Sequence, residues 1–188
     1  MNKSRSSLYI FLLITFTGCF YPWVQVKEPY TSLKQKYSVD LPLGWMRINT
    51  DQYLSITQDG FSLQDIFILG RDLGEQKEEK RDSLYENIDP NMLPQDLAEL
   101  ILGRFSTDPS MLNFKLLENN PAQIDGQDGF RAVFTFKDSD GLKYENIYYG
   151  FIYDKWYYFL HYQATQRYYF EKDIETFENV VKSFKLKK

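Results

Sequence analysis

The 188-residue sequence predicts an α+β fold built on a central antiparallel β-sheet with helices on both faces. Short alternating segments separated by turn residues indicate the strands, and two amphipathic stretches indicate the helices. Residues 61–69 supply the third observation, because Phe67 and Leu69 fall on one side of that segment and Ile66 and Ile68 on the other. A strand that is apolar on both sides requires cover on both faces of its sheet.

The first strands are short and lie close together in the sequence. Residues 37–41 alternate with period two, and the turn Pro42-Leu43-Gly44 leads into residues 45–48. A further strand covers residues 53–56, and the turn at Asp59-Gly60 joins it to residues 61–69. We expect these segments to pair antiparallel.

A long charged segment then precedes the first helix. Residues 71–90 are rich in Glu, Lys, Asp and Arg and carry no apolar stripe, which predicts a solvated loop, with a partner-binding flap as the alternative. An amphipathic helix follows, with Pro94 suited to its first position. Its apolar stripe consists of Leu93, Leu97, Leu100, Ile101 and Phe105.

Alternating segments fill most of the second half of the chain. Residues 113–118 predict one strand, and Asn119-Asn120-Pro121 predicts a turn before a second strand toward Ile124. Three further strands follow, over residues 130–136, 142–153 and 156–164. Asp138-Ser139-Asp140-Gly141 and Asp154-Lys155 join these three as hairpins, so they form a meander.

The C-terminal segment predicts a second amphipathic helix. Phe170, Ile174, Phe177, Val181 and Phe184 recur at helical spacing, and charged residues occupy the other positions. This helix can cover the face of the sheet opposite to the first helix.

The N-terminus has the layout of an export signal. Lys3 and Arg5 precede an apolar stretch over residues 8–17, which is shorter than the roughly 20 residues that a membrane-spanning helix needs. The end of this stretch and the two residues after it, Phe16-Thr17-Gly18-Cys19, resemble the lipobox of bacterial lipoproteins. We therefore expect a signal peptide over residues 1–18, a lipidated tether over residues 19–35 and the folded domain over residues 36–188.

The lipobox resemblance implies that Cys19 carries a diacylglycerol anchor. Cys19 is the only cysteine, so it has no partner for an internal disulfide. The residue after it is Phe20, whereas lipoproteins retained in the inner membrane commonly have aspartate there. The implied location is the outer membrane if the cell has one. The alternatives are an ordinary signal peptide with an incidental cysteine, or a buried core segment.

Three motifs resemble those of PsbP-type domains, a family that includes the extrinsic photosystem II protein and a nuclear-import factor. They are Pro42-x-Gly44-Trp45, Gly126-x-x-Gly129-Phe130-Arg131 and the closing Ser183-Phe184. The resemblance covers residues 36–186 and implies an α/β/α sandwich. It implies no function, because members of the family differ widely in role and no metal or small-GTPase site matches.

Charge and motif content limit the possible functions. Without residues 1–18 the chain keeps about 20 basic against 26 acidic residues, which argues against a nucleic-acid partner. His161 is the only histidine, so a three-histidine zinc site is impossible. We expect it to be a partly buried imidazole bonded to a tyrosine or a backbone carbonyl. Asp138-x-Asp140-Gly141 matches a hairpin turn better than a calcium loop. No catalytic residue, metal or cofactor is expected.

Three functions remain from the sequence. The favoured one is a noncatalytic lipoprotein that binds a partner protein or helps to assemble an envelope complex. The alternative is a carrier or sensor of an apolar small molecule, with a pocket built from Trp45, Tyr149, Trp156 and Tyr158, although these rings can equally fill the core. A hydrolase that uses His161 is the weakest alternative. The sequence does not indicate the oligomeric state.

Overall fold

The structure is a computed structural model that describes residues 23–48, 50–74 and 87–187. Cys19, the signal segment and most of the charged loop lie outside the described residues. The strands are β1 (Trp23–Gln25), β2 (Tyr30–Ser32), β3 (Tyr37–Val39), β4 (Met46–Ile48), β5 (Leu54–Thr57), β6 (Gln64–Asp72), β7 (Leu112–Ile124), β8 (Gln127–Lys137), β9 (Lys143–Tyr153), β10 (Trp156–Thr165) and β11 (Lys185–Leu186). The helices are α1 (Pro94–Thr107) and α2 (Tyr169–Ser183).

Eight antiparallel strands form the main sheet, in the order β1-β4-β5-β6-β10-β9-β8-β7. A second, three-stranded sheet has the order β11-β3-β2. The predicted α+β class and the predicted meander of β8, β9 and β10 are confirmed. Asp125 and Gly126, between β7 and β8, have φ angles of 48° and 74°. A two-residue hairpin turn of type I′ requires positive φ at both of these positions.

The two helices cover opposite faces of the main sheet, as predicted. On the α1 face, Ile101 and Phe105 pack into one apolar cluster with Phe134 of β8. On the α2 face, Phe177 packs into a second cluster, where its ring lies 5.5 Å from that of Tyr162. Strand β6 contributes to both clusters because its side chains alternate between the two faces. Among the described residues, no helix has the length and apolar character that crossing a membrane requires.

The N-terminal boundary of the domain differs from the expectation. We expected a tether up to residue 35, but β1 pairs with β4 and β2 pairs with β3. Gln35 is 4% exposed, and its Oε1 accepts a hydrogen bond from the Gly70 N–H at 2.9 Å. Its Nε2 also donates to the Gln52 carbonyl. The folded domain therefore includes Trp23. Residues 20–35 contain Pro22 and Pro29 and show no alternating pattern, so the sequence resembled a tether.

A second difference concerns β7. We expected a turn at Asn119-Asn120-Pro121, but a single strand runs through it and pairs with β8, with register shifts between Leu112 and Lys115 and between Leu116 and Glu118. Strand β7 lies at the edge of the sheet. An edge strand tolerates Pro121, because alternate N–H groups there face away from the sheet and form no ladder bond.

Candidate functional site

Three of the four aromatic residues that we expected to line a pocket are buried in the core. Trp45, Tyr149 and Tyr158 are 5%, 8% and 1% exposed and belong to the cluster on the α2 face. Trp156 is partly buried, its ring stacks on that of Tyr158 at 6.1 Å, and the Lys36 Nζ lies 5.2 Å from its centre. The rings of Trp45, Tyr149 and Tyr158 fill the interior, whereas Trp156 lies at its margin and lines a groove with Lys36 and Arg71.

Tyr149 is part of a polar network that joins α2 to the sheet. Its hydroxyl donates to the Glu178 Oε2 at 2.7 Å, and the Arg131 Nη2 donates to the Glu178 Oε1 at 3.3 Å. The Arg131 Nη1 donates to the Glu118 Oε2 at 2.8 Å. Burial raises the pKa of Tyr149, and the hydrogen bond to Glu178 raises it further. The network joins β7, β8, β9 and α2 through side-chain hydrogen bonds. Its role is therefore structural.

His161 lies among aromatic rings on the α1 face. Its Nε2 is 2.9 Å from the Asn146 Oδ1, and its ring centre is 6.2 Å from that of Phe134 and 5.4 Å from that of Tyr148. Burial lowers the pKa of His161 to about 4, so the imidazole is neutral at pH 7. We expected a tyrosine or a backbone carbonyl as its partner, and the side chain of Asn146 takes that role.

Asp65 extends this polar group across the sheet. It lies opposite Gln163 of β10, and Gln163 lies opposite Asn146 of β9. Burial raises the pKa of Asp65 to about 7. In the sequence, Asp65 could have been noticed as an acidic residue next to the apolar run Ile66-Phe67-Ile68-Leu69. We name Asp65, Gln163, Asn146 and His161 the polar row.

The polar row and the turn residues do not form a metal site. Among the described residues, no three His, Cys, Asp or Glu side chains are placed to hold a metal ion. The Asp138 Oδ1 accepts the backbone N–H groups of Asp140 and Leu142 at 3.0 and 2.8 Å. The resemblance of this segment to a calcium loop therefore reduces to the hydrogen bonds of a hairpin turn.

The surface of β7 is unusual because leucines occupy an edge strand. We name Leu112–Ile124 the β7 edge. Leu112, Leu116 and Leu117 are 47%, 42% and 43% exposed. Phe114 of the same strand points inward, with its ring 5.3 Å from that of Phe134. The β7 edge thus combines unpaired backbone groups with apolar side chains that remain in contact with solvent.

A groove lies at the opposite edge of the sheet, along β1. We name it the β1 groove; its volume is about 700 Å³. Its lining consists of residues 24–34 together with Leu41, Arg47 and Asp51. The Arg47 guanidinium lies 5.6 Å from the centre of the Tyr30 ring, and Leu33 is 87% exposed.

Comparison with known proteins identifies the architecture. No protein-family model and no protein of curated function matches the chain. The solution structure of the cyanobacterial PsbP protein CyanoP, from Synechocystis sp. PCC 6803, aligns with a TM-score of 0.58 at 11% identity, over 85% of this chain and 91% of that one. A crystal structure from Bacteroides thetaiotaomicron VPI-5482 aligns with a TM-score of 0.53 at 10% identity, over 87% of this chain and half of that one.

A third alignment is more distant. LpqN, a protein of Mycobacterium tuberculosis involved in cell envelope biogenesis, aligns with a TM-score of 0.46 at 10% identity, over 89% of this chain and 79% of that one. Similarity at this level supports no argument, and the two closer alignments support the fold alone. The described part of the chain has a PsbP-like fold.

Proposed function

We propose that this protein is a noncatalytic protein-binding module that is exported and held at a membrane by a lipidated Cys19. The membrane is the outer one if the cell has two. The observation that supports protein binding is the β7 edge, where three partly exposed leucines lie on an edge strand of 13 residues. Exposed apolar side chains and unpaired strand edges are both features of protein-binding surfaces.

The geometry of the β7 edge favours a selective partner over general aggregation. Its two register shifts bend the strand, and Lys115 and the Glu118–Arg131 ion pair place charged groups on either side of Leu116 and Leu117. Bulges and charges are the features by which natural edge strands avoid indiscriminate pairing. A partner must therefore match both the bends and the charges, and the leucines then supply apolar contact area.

The only histidine supports a noncatalytic role. The Nε2 of His161 is engaged by Asn146, and aromatic rings pack beside the imidazole. A general base works best with a pKa near the operating pH, whereas the pKa of His161 is about 4. The role of His161 that this geometry favours is to satisfy a buried amide in the sheet.

Site-specific photo-crosslinking in intact cells tests the proposal. A photoreactive amino acid replaces Leu112, Leu116 or Leu117 in turn, and matched controls carry it at Glu175 or Asn179, which are exposed on α2. We expect the same discrete adduct from the three leucine positions and none from the controls. Adducts of equal yield from both sets, or from neither, would contradict a partner on the β7 edge.

The anchor has a separate test. Intact-mass measurement of the mature protein should show an N-terminal Cys19 that carries diacylglycerol. An unmodified Cys19, or cleavage at another position, would refute the anchor and leave the crosslinking result unaffected.

A further inference from the structure

The position of β1 shortens the connection between the membrane and the domain. This argument rests on the proposed lipidation of Cys19. Three residues, Phe20, Tyr21 and Pro22, separate Cys19 from Trp23, the first residue of β1. Four residue steps of extended chain span at most about 14 Å. Trp23 therefore lies within about 14 Å of the anchored residue. A tether up to residue 35 would instead have allowed the start of the domain to lie several times farther from Cys19.

The two most exposed large apolar side chains of the described residues lie beside β1. Leu33, at 87% exposure, lines the β1 groove together with Val24. Leu43, at 73% exposure, lies in the turn whose Gly44 N–H donates to the Val26 carbonyl at 3.1 Å. Scattered single leucines are normal on protein surfaces. These two border the part of the domain that the anchor holds closest to lipid.

The charge of this face differs from that of the whole protein. The lining of the β1 groove carries Lys27, Lys34 and Arg47 against Glu28 and Asp51, and so has an excess of positive charge. The complete sequence has a net charge of −4. An anionic lipid surface repels most of an acidic protein and attracts a basic face, so it orients the domain with that face toward the headgroups.

We propose that the β1 groove is a membrane-contacting face. Leu33 and Leu43 lie at the boundary between headgroups and acyl chains, and Lys27 and Lys34 contact lipid phosphates. The occupant of this face is the bilayer that holds the Cys19 anchor. Seven inter-strand spacings separate β1 from β7, which is about 34 Å along the sheet. The β7 edge therefore lies away from the membrane, where a partner protein can reach it.

Depth measurements on the full lipidated chain test this face. Because the anchor consumes the only native cysteine, an introduced cysteine is the single thiol available for a fluorescent label. Labels at Leu33→Cys and Leu43→Cys are compared with labels at Leu93→Cys and Leu142→Cys, which replace exposed leucines that do not line the β1 groove. The membranes are protein-free vesicles of phosphatidylethanolamine and phosphatidylglycerol that contain headgroup-labelled nitroxide lipid.

We expect nitroxide to quench the labels at positions 33 and 43 about twofold more strongly than those at positions 93 and 142. Equal quenching at all four positions, in protein whose mass shows a lipidated Cys19, would overturn the inference and leave the anchor intact. Shielding of positions 33 and 43 in native envelopes but not in protein-free vesicles would also overturn it, because a protein would then cover the groove. A mass without lipid on Cys19 would instead refute the anchor.

A charge reversal tests the lysines separately. In the Leu33→Cys background, the double variant Lys27→Glu/Lys34→Glu is compared with Lys137→Glu/Lys143→Glu, which makes the same change at exposed positions outside the groove. We expect the first pair to reduce quenching in vesicles that contain phosphatidylglycerol, with a smaller reduction at high salt. Equal quenching in the two double variants would overturn the assigned role of Lys27 and Lys34.

Discussion

The two edges of the main sheet differ in length, in their exposed leucines and in their separation from Cys19 along the chain. The β1 edge has three residues, pairs with β4 and begins four residues after Cys19. The β7 edge has 13 residues and leaves three leucines partly in solvent. A short edge offers few free backbone groups, whereas a long one offers many. The short β1 edge therefore offers little backbone for the addition of another strand, and the long β7 edge offers more.

The core between the two sheets and the β7 edge also differ in their contacts. The second sheet lies on the α2 face of the main sheet, where Phe184 stacks on Tyr37 at 5.1 Å and meets Phe151 of β9 and Tyr158 of β10 at 5.9 Å each. The leucines of the β7 edge have no comparable burial. Stability and binding should therefore respond to substitutions at different places.

The largest expected effect on stability is in the core between the two sheets. Phe184 is fully buried, and Phe184→Ala should lower the free energy of unfolding by about 3–5 kcal/mol because it leaves a cavity between the two sheets. Leu116→Ala at the β7 edge, by contrast, should alter the free energy of unfolding by about 0.5 kcal/mol or less. Urea denaturation midpoints at constant m-value provide the measurement. A similar loss of unfolding free energy in the two variants would contradict the expected difference between the core and the β7 edge.

The centre of the sheet, between the two edges, should respond to pH. The raised pKa of Asp65, about 7, means that the folded state binds a proton that the unfolded state has lost, so this group lowers stability as pH rises from about 4 to 7. His161 has the opposite sign: its lowered pKa, about 4, means that the unfolded state binds the proton first, so stability falls as pH drops from about 6.5 to 4.

Because the two contributions oppose each other between about pH 4 and 6.5, they should largely cancel in the native sequence. Asp65→Asn removes one of them, so the stability of this variant should rise over that range by roughly 2 kcal/mol more than that of the native protein. Denaturant titrations at several pH values test this. A variant whose stability changes with pH as the native protein's does would show that Asp65 titrates normally.

A smaller effect is expected from the contact that joins the N-terminal segment to the sheet. Gln35→Ala removes the acceptor of the Gly70 N–H and should cost about 1–2 kcal/mol, because it leaves a buried donor without a partner. Amide exchange over residues 23–35 should accelerate more than exchange over β7. The control is Gln95→Ala at an exposed position of α1, which should leave the free energy of unfolding and the amide exchange unchanged.

The smallest effect on stability, with the largest effect on binding, is expected at the β7 edge. Replacing Leu112, Leu116 or Leu117 by Ser should each change the free energy of unfolding by about 0.5 kcal/mol, because these side chains keep much of their surface in water. The triple variant should nevertheless lose the photo-crosslinked partner when the probe is placed at a neighbouring position of β7. An unchanged adduct yield would assign the partner to another surface.

Long elements with regular periodicity could be predicted from the sequence. The meander and α2 follow from local alternation and helical spacing, and Ile66 and Phe67 already indicated cover on both faces. Strands β1 and β2 could not be predicted, because residues 20–35 contain Pro22, Pro29 and scattered polar residues and show no alternating pattern. The run Asn119-Asn120-Pro121 predicted a turn, and only its place at a sheet edge makes a continuous strand possible.

The sequence by itself determined the α+β class, the order of the long elements and the single cysteine that is available for an anchor. The tertiary structure alone decided which aromatic rings are core, that Gln35 joins the N-terminal segment to Gly70, and that β1 and β7 lie at opposite edges. Periodicity reflects burial along a local stretch of chain, and a sequence therefore reveals it. Pairings such as Gln35 with Gly70 or Arg131 with Glu178 join residues that are distant in the chain, and only the folded sheet brings them together.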